Sequence, residues 1–289
     1  MARVGFIGLG AMGFPMAGHL ATHGHQIVIY NRTKEKATEW LKLYDGEVLE
    51  TPADIGRVSD FVFCCVGNDE DLKSVCMGDT GAFKNMRPGT IFVDHSTVSA
   101  KVSRELAKLA TQKRFGYIDA PVSGGQIGAQ KGVLSVMCGG EKNQFEKVEP
   151  LIACYSISCI LMGEIGTGQL TKMVNQICIA GLLQGLSEGL LFSERAGLDS
   201  NLVLEVISKG AAGSWQMENR GTTMVKNKFD FGFAVDWMRK DLGICLDEAN
   251  RTQTSLPITA VVDQFYKDVQ RMGGGRWDTS SLIALLRNR

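Results

Sequence analysis

Short runs of apolar residues punctuate the first ~160 positions of the chain. They are Val4–Ile7, Ile27–Tyr30, Phe61–Val66, Ile91–Val93, Tyr117–Ala120, Leu134–Cys138 and Ser158–Met162. Each is brief and apolar without alternation, the pattern of a strand buried on both faces of a parallel sheet. The segments between them change to helical spacing. Met12–His23 reads as a helix stopped by Gly24; Ala37, Trp40, Leu41 and Tyr44 fall at i, i+3, i+4 and i+7 behind Thr33 as N-cap. Leu72, Val75 and Cys76 follow Asp69 as a cap, Val102, Leu106, Leu109 and Ala110 form another stripe, and Thr51-Pro52 reads as N-cap plus first-turn proline. Strand and helix in alternation predict a doubly wound, mostly parallel α/β sheet.

After Met162 the pattern changes. Residues 168–196 read as one long helix, apolar nearly all round, a profile that predicts burial on most sides. Gly181, Gly185 and Gly189 leave one face of bare backbone, where the expectation is a simple crossing by another helix. Its apolar stretch, Ile177–Phe192, is short of the roughly 20 residues a bilayer requires and contains Gln184 and Glu188, so a buried soluble helix is expected rather than a membrane span. Leu202–Ile207, Val235–Ala249, Pro257–Met272 and Ser280–Leu286 all read as helices, the last capped by Asp278 or Thr279. The expected organisation is a first domain over 1–163 and an all-helical second domain over 164–289, for substrate and oligomer contacts, joined by the long central helix.

Composition narrows the function classes. The 31 basic and 31 acidic residues cancel, so nothing in the net charge draws the chain to nucleic acid or an anionic membrane. Eight cysteines lie at 64, 65, 76, 138, 154, 159, 178 and 245 with no CxxC pair, and the four histidines (19, 23, 25 and 95) have no metal-site spacing. No metal site and no disulfide framework are expected, which points to the reducing cytoplasm. The first strand begins near Arg3, leaving no room for a signal or transit peptide ahead of it.

The first strand runs into Gly8-Leu9-Gly10-Ala11-Met12-Gly13, a GxGxxG between strand and helix. Gly8 serves the turn out of the strand, Gly10 the close approach of backbone to a pyrophosphate, and Gly13 the packing of helix on strand. The phosphates would then meet the free N–H groups and positive dipole end of the helix. This is the Rossmann-type dinucleotide site. The next strand ends in Asn31-Arg32-Thr33 where an acidic residue would accept from a ribose 2′-hydroxyl. A guanidinium beside small polar groups suits a 2′-phosphate and favours NADP, with NAD as the other choice.

Three further motifs carry chemistry. Asp119-Ala120-Pro121-Val122-Ser123-Gly124-Gly125 follows a strand and offers hydroxyl and backbone N–H donors suited to a carboxylate, or a plain loop. In Gly168-Gln169-Leu170-Thr171-Lys172-Met173-Val174-Asn175, Lys172 and Asn175 share one helix face that is otherwise apolar. Desolvation there would lower the lysine pKa into a range for proton exchange; spacing alone fits a snorkelling lysine equally well. Arg239-Lys240-Asp241 reads by itself as an exposed, mixed-charge helix face. Trp215 reads as core in preference to pocket lining.

In this order, over essentially the whole chain, these motifs resemble those of the β-hydroxyacid dehydrogenases. That family includes 3-hydroxyisobutyrate dehydrogenase, tartronate semialdehyde reductase and the glyoxylate/succinic semialdehyde reductases. Phe6–Gly13 is similar to the family's cofactor motif, Asp119–Gly125 to its substrate motif, Gly168–Asn175 to its catalytic motif and Lys240-Asp241 to its late cofactor-side motif. The resemblance implies that Lys172 is the general acid in reduction and general base in oxidation, with Asn175 orienting the substrate. It implies that Ser123 and Gly124, with Gly125, hold the substrate carboxylate. Thr97 and Lys240 would lie at the nicotinamide end, and Val66 and Gly67 would line the cofactor cleft. Asn31-Arg32-Thr33 is similar to the NADPH-using semialdehyde reductases, whereas Gly125 brings the substrate motif closer to the hydroxyisobutyrate and tartronate branches. The expectations are a hydride exchange between NADP(H) and a small 3-hydroxy acid or its semialdehyde, and a homodimer or homotetramer. The alternatives are an NAD-linked 3-hydroxyisobutyrate dehydrogenase and a non-catalytic dinucleotide-binding scaffold.

Overall fold

A computed structural model describes residues 1–288. Nine strands form one sheet: β1 (Arg3–Ile7), β2 (Gln26–Tyr30), β3 (Glu47–Val48), β4 (Phe61–Cys64), β5 (Ile91–Asp94), β6 (Gly116–Asp119), β7 (Val122–Ser123), β8 (Leu134–Gly139) and β9 (Ser156–Gly163). The order is β3-β2-β1-β4-β5-β6-β8-β7, with β9 also on β8. All neighbours from β3 to β6 are parallel, β8 runs antiparallel to β6 and β7, and β9 is parallel to β8. The helices among these strands are α1 (Gly13–Thr22), α2 (Lys34–Leu41), α3 (Pro52–Val58), α4 (Asp69–Met77), α5 (Ala100–Gln112), α6 (Gly125–Lys131) and α7 (Lys142–Ile152).

The sheet is buried on both faces, which is why its strands carry no alternation. Val4, Phe6, Ile27, Ile29, Phe63, Val93 and Ile118 enter one apolar layer. Their neighbours Ile7, Val28, Val62, Cys64, Phe92 and Tyr117 enter the other. Gly5 is where α3 presses onto β1: a Cβ there would lie 2.6 Å from the Ser59 hydroxyl and overlap Ile55. The seven expected strands are all present; the two-residue β3 and β7 and helices α6 and α7 were not foreseen. One expectation fails at the sheet edge. β9 is not fully buried, since Ile157, Ile160 and Met162 face out.

Cap chemistry differs in detail from the sequence pattern. Thr51 accepts from the Asp54 N–H as expected. Thr33 occupies the N-cap of α2 but makes no side-chain cap bond. For α4 the cap is Asn68, which accepts from the Asp71 N–H at 2.8 Å, while Asp69 binds the Ser99 N–H and hydroxyl instead.

Contacts divide the chain into two units, Met1–Lys172 and Met173–Arg289. Helix α8 (Thr167–Arg195) begins in the first and continues into the second, which adds α9 (Ser200–Ile207), α10 (Trp215–Val225), α11 (Val235–Thr252), α12 (Pro257–Arg271) and α13 (Leu282–Arg287). No strand occurs among the described residues of this unit. Its apolar interior comprises Ala180, Leu183, Val235, Met238, Leu242, Val262, Tyr266 and Leu282, continued by Leu186, Leu190, Leu204 and Met224. Asp278 accepts from the Ser280 N–H, capping the short turn ahead of α13.

Four expectations about this unit are corrected. α8 is not buried on most sides: less than half of its most apolar stretch is buried within the chain, although its 29 residues are long and apolar enough to cross a membrane by length and composition alone. Gln169, Lys172 and Gln176 are buried along it, and Gln184 donates to Glu188 at 2.7 Å, polar groups that hydrocarbon would leave unsolvated. Among the described residues, only Gly181 of the glycine face has a neighbour at its Cβ position, Ile258 at 3.7 Å; Gly185 and Gly189 meet nothing within 4 Å, so no described helix crosses there. Trp215 is half-exposed, with the Arg220 guanidinium 5.0 Å from its ring centre, and is not core. Arg239-Lys240-Asp241 is not a solvated face either. Asp241 is buried, and Arg239 pairs with Asp263 through two nitrogens at 3.0 and 3.1 Å.

Candidate active site

Parallel strands place their C-terminal ends on one edge, where open α/β sheets bind ligands. Here that edge collects the loops after β1, β2, β4, β5 and β6, and hence Gly8–Gly13, Asn31–Thr33, Val66-Gly67, Ser96-Thr97 and Ala120-Pro121. The three glycines of this loop have different surroundings. Gly8 has φ +96°, and a Cβ on it would overlap the Cys65 carbonyl. A Cβ on Gly13 would overlap the Gly8 carbonyl, so α1 packs directly on the turn. Gly10 has no protein atom within 4 Å of its Cβ position, space that fits a pyrophosphate drawn against the backbone. Asn31 braces this loop by accepting from the Leu9 N–H at 2.8 Å and donating to the Thr33 carbonyl at 2.8 Å. Leu9 is buried, so it can offer a ligand only its backbone. Arg32 extends into solvent and pairs with Asp71 at 3.1 Å.

The β5 end carries three consecutive buried polar residues. Burial pushes the Asp94 carboxyl up to about 7, against hydrogen bonds from Ser96 and Tyr117 that favour its charged form. Burial holds His95 down at about 4. Its Nδ1 lies 2.5 Å from the Ala120 carbonyl, which only accepts, so Nδ1 carries the proton and Nε2 accepts from the Tyr155 hydroxyl at 2.8 Å. The Ser96 hydroxyl accepts from the Val66 N–H at 2.9 Å, tying the β4 and β5 loops together.

Past β6, the substrate-motif segment is short strand rather than loop: Val122 and Ser123 pair with Val136 and Ser135. Gly124 and Gly125 follow at φ 128° and 63°, conformations open to glycine. Asp119 turns the other way, toward the start of α8. Its two carboxylate oxygens accept from Gly166 N–H at 2.7 Å and Gln169 N–H at 2.9 Å. Burial still raises this carboxyl to about 6. Gly168 is glycine because a Cβ would lie 2.7 Å from the Asp119 carbonyl oxygen and 2.8 Å from its carboxylate.

Lys172 follows one turn later and is buried. The face it shares is not otherwise apolar, because Gln169 and Gln176 are buried on it too. Asn175, one turn on, donates to Gln176 at 2.8 Å. In the second unit Gln176 donates to Asp241 at 2.6 Å, and Lys240 pairs with Asp241 at 2.9 Å beside the Trp237 ring. The first unit thus brings together the glycine loop, Asn31, Val66, Thr97 and the Lys172 turn; Asn175 and Lys240 belong to the second. Asp119 and Gln169 escaped attention in the sequence. A glutamine three residues before the lysine, on an apolar helix, was the available signal.

Comparison with known proteins divides the chain a few residues earlier, ahead of α8. Residues 3–163 match the NAD binding domain of 6-phosphogluconate dehydrogenase, and residues 166–286 match the NAD-binding domain of NADP-dependent 3-hydroxyisobutyrate dehydrogenase. An uncharacterized oxidoreductase of Shewanella frigidimarina is 58% identical over 286 residues, covering 99% of this chain and 98% of that protein. The 2-hydroxy-3-oxopropionate reductase of Escherichia coli is 36% identical, covering 98% and 97%. The chain belongs to the β-hydroxyacid dehydrogenase family. Among solved structures, Mycobacterium tuberculosis 3-hydroxyisobutyrate dehydrogenase with L-serine superposes with a TM-score of 0.88 at 27% identity, covering 99% of each chain. Family membership makes the chain an NAD(P)-dependent hydroxyacid dehydrogenase.

Proposed function

We propose that this β-hydroxyacid dehydrogenase interconverts a small 3-hydroxy acid and its semialdehyde, prefers NADP(H), and uses Lys172 as general acid and base. The observation that carries this reading is the burial of Lys172 on a helix that starts against the C-terminal edge of the sheet. A bound nicotinamide supplies or accepts the hydride. In reduction the Lys172 ammonium gives a proton to the substrate carbonyl oxygen; in oxidation the neutral amine takes the hydroxyl proton. Asn175 orients that oxygen. The Ser123 hydroxyl and the N–H groups of Gly124 and Gly125 receive the carboxylate, and Thr97 and Lys240 serve the nicotinamide end. Arg32, extended beyond β2, is the group for the 2′-phosphate. One observation favours NAD as the second reading: Arg32 already has an acidic partner in Asp71.

The test is a panel of semialdehydes and hydroxy acids with both cofactors, on wild type and Lys172→Ala. The reading requires turnover by wild type and a loss of roughly 10²–10⁴-fold in kcat in the variant. Wild type inactive on every compound would favour a scaffold instead. We further propose a homodimer or homotetramer, supported by the exposed Phe192, Leu202 and Val206 of the second unit, and residence in the cytoplasm, supported by eight cysteines that form no disulfide among the described residues.

A further inference from the structure

Gln169 is fully buried, yet a buried amide is costly unless each of its polar atoms is satisfied. Its partners are specific. Oε1 accepts from the Val98 N–H at 3.1 Å, and Nε2 donates to the Ser96 carbonyl at 2.8 Å. The amide therefore brackets a single residue, Thr97, by binding the backbone on either side of it. The Gln169 backbone N–H is itself held by Asp119 at 2.9 Å. Beyond the bracket, the Ser96 hydroxyl accepts from Val66. Side chains three residues apart on a helix lie on one face, so Lys172 stands one turn beyond the bracket on the same side.

We propose that Gln169 is a positioning residue for the redox reaction: it fixes the Ser96–Val98 loop, and Thr97 within it, in register with Lys172. This rests on Lys172 being the acid/base and on Thr97 serving the nicotinamide end. Hydride and proton transfers need both groups placed together, and a misplacement of about 1 Å can cost on the order of 10²-fold in rate. An amide is suited to this task. It presents a donor group and an acceptor in one plane, matching the Ser96 carbonyl and the Val98 N–H on either side of Thr97. Glutamate lacks the donor, methionine lacks both functions, and asparagine has both but falls one methylene short.

The experiment compares Gln169→Met, Gln169→Asn and Lys172→Ala with wild type, on the full chain. The readouts are kcat per folded molecule, dinucleotide Kd and the primary deuterium isotope effect with C4-deuterated reduced cofactor. Gln169→Met is expected to lose roughly 10- to 100-fold in kcat, with Kd changed less than about threefold and a larger isotope effect, as hydride transfer becomes limiting. Gln169→Asn should fall between it and wild type, and it carries the test if Gln169→Met does not fold. Equal kcat and isotope effect in folded Gln169 variants and wild type, with Lys172→Ala inactive, would overturn the positioning role alone. Full activity in Lys172→Ala would instead remove the assignment beneath it.

Discussion

At the scale of the residue, two glycines of the loop after β1 make separable predictions. Gly10 has open space at its Cβ position, so Gly10→Ala should leave folding stability within about 0.5 kcal/mol. Its added methyl would occupy the space proposed for the pyrophosphate, so cofactor affinity should drop at least about tenfold. Gly13→Ala meets the Gly8 carbonyl and should cost about 1–3 kcal/mol of stability before any cofactor is added. Urea midpoints alongside cofactor titrations separate the two; equal destabilisation would refute the division of roles. Arg32 makes a different kind of prediction. Its ion pair with Asp71 is exposed and contributes little to stability. Arg32→Ser should leave the melting temperature unchanged and lower kcat/KM with NADPH by roughly 10-fold or more relative to NADH. An unchanged cofactor ratio would remove Arg32 from the site. Gly8 and Gly13 were legible because the turn after β1 leaves no room for a Cβ at either. Trp215 was not, since a tryptophan suits a core as well as a cation–π stack with Arg220.

At the scale of the element, the start of α8 decides the geometry of the site. Two glycines, Gly166 at φ +91° and Gly168 against Asp119, allow the helix to begin directly on the carboxylate. Gly168→Ala should push this first turn away from Asp119, costing about 1–3 kcal/mol and lowering kcat. Retained stability with full activity would show that the helix start tolerates displacement. The interior strands and most helices were legible, because burial on both faces leaves an apolar run and burial on one face leaves a 3.6-residue stripe. The failures share a cause. β9 has the same apolar run but sits at the sheet edge, and edge position is a property of strand order, which no run encodes. Two-residue strands such as β3 and β7 are too short to have a period. Asn68 displaced Asp69 as the α4 cap because Ser99, thirty residues away, claims the Asp69 carboxylate.

At the scale of the whole molecule, buried titratable groups set how stability changes with pH. Asp94 titrates near 7 and Asp119 near 6 in the folded protein, against about 3.8 ordinarily. Between these values the folded chain holds protons that the unfolded chain has released, so stability falls as pH rises from about 4 to 7. His95 acts in the opposite sense. Its folded value of about 4 lies below the usual 6.5, so stability falls as pH drops through that window. Between about pH 4 and 6 the two carboxyls outweigh the single imidazole and stability falls as pH rises; from 6 to 6.5 Asp94 and His95 offset, and from 6.5 to about 7 only the Asp94 decline remains. Asp94→Asn should flatten that decline, read as urea midpoint against pH. An identical slope in variant and wild type would show that Asp94 does not titrate there.

By itself, the sequence determined what depends on local chemistry: the doubly wound sheet, the all-helical second half and the glycine-rich turn between the first strand and its helix. These follow from periodicity and from glycines with no substitute, both readable within a dozen residues. Tertiary structure alone decided the antiparallel turn at β8, the exposure of β9 and the open face at Gly185 and Gly189. It also decided the Asp119–Gln169–Ser96 connections that join the first turn of α8 to the β5 loop. Those hydrogen bonds span 50 and 73 positions, and a polar side chain in a sequence does not reveal which distant backbone group will satisfy it.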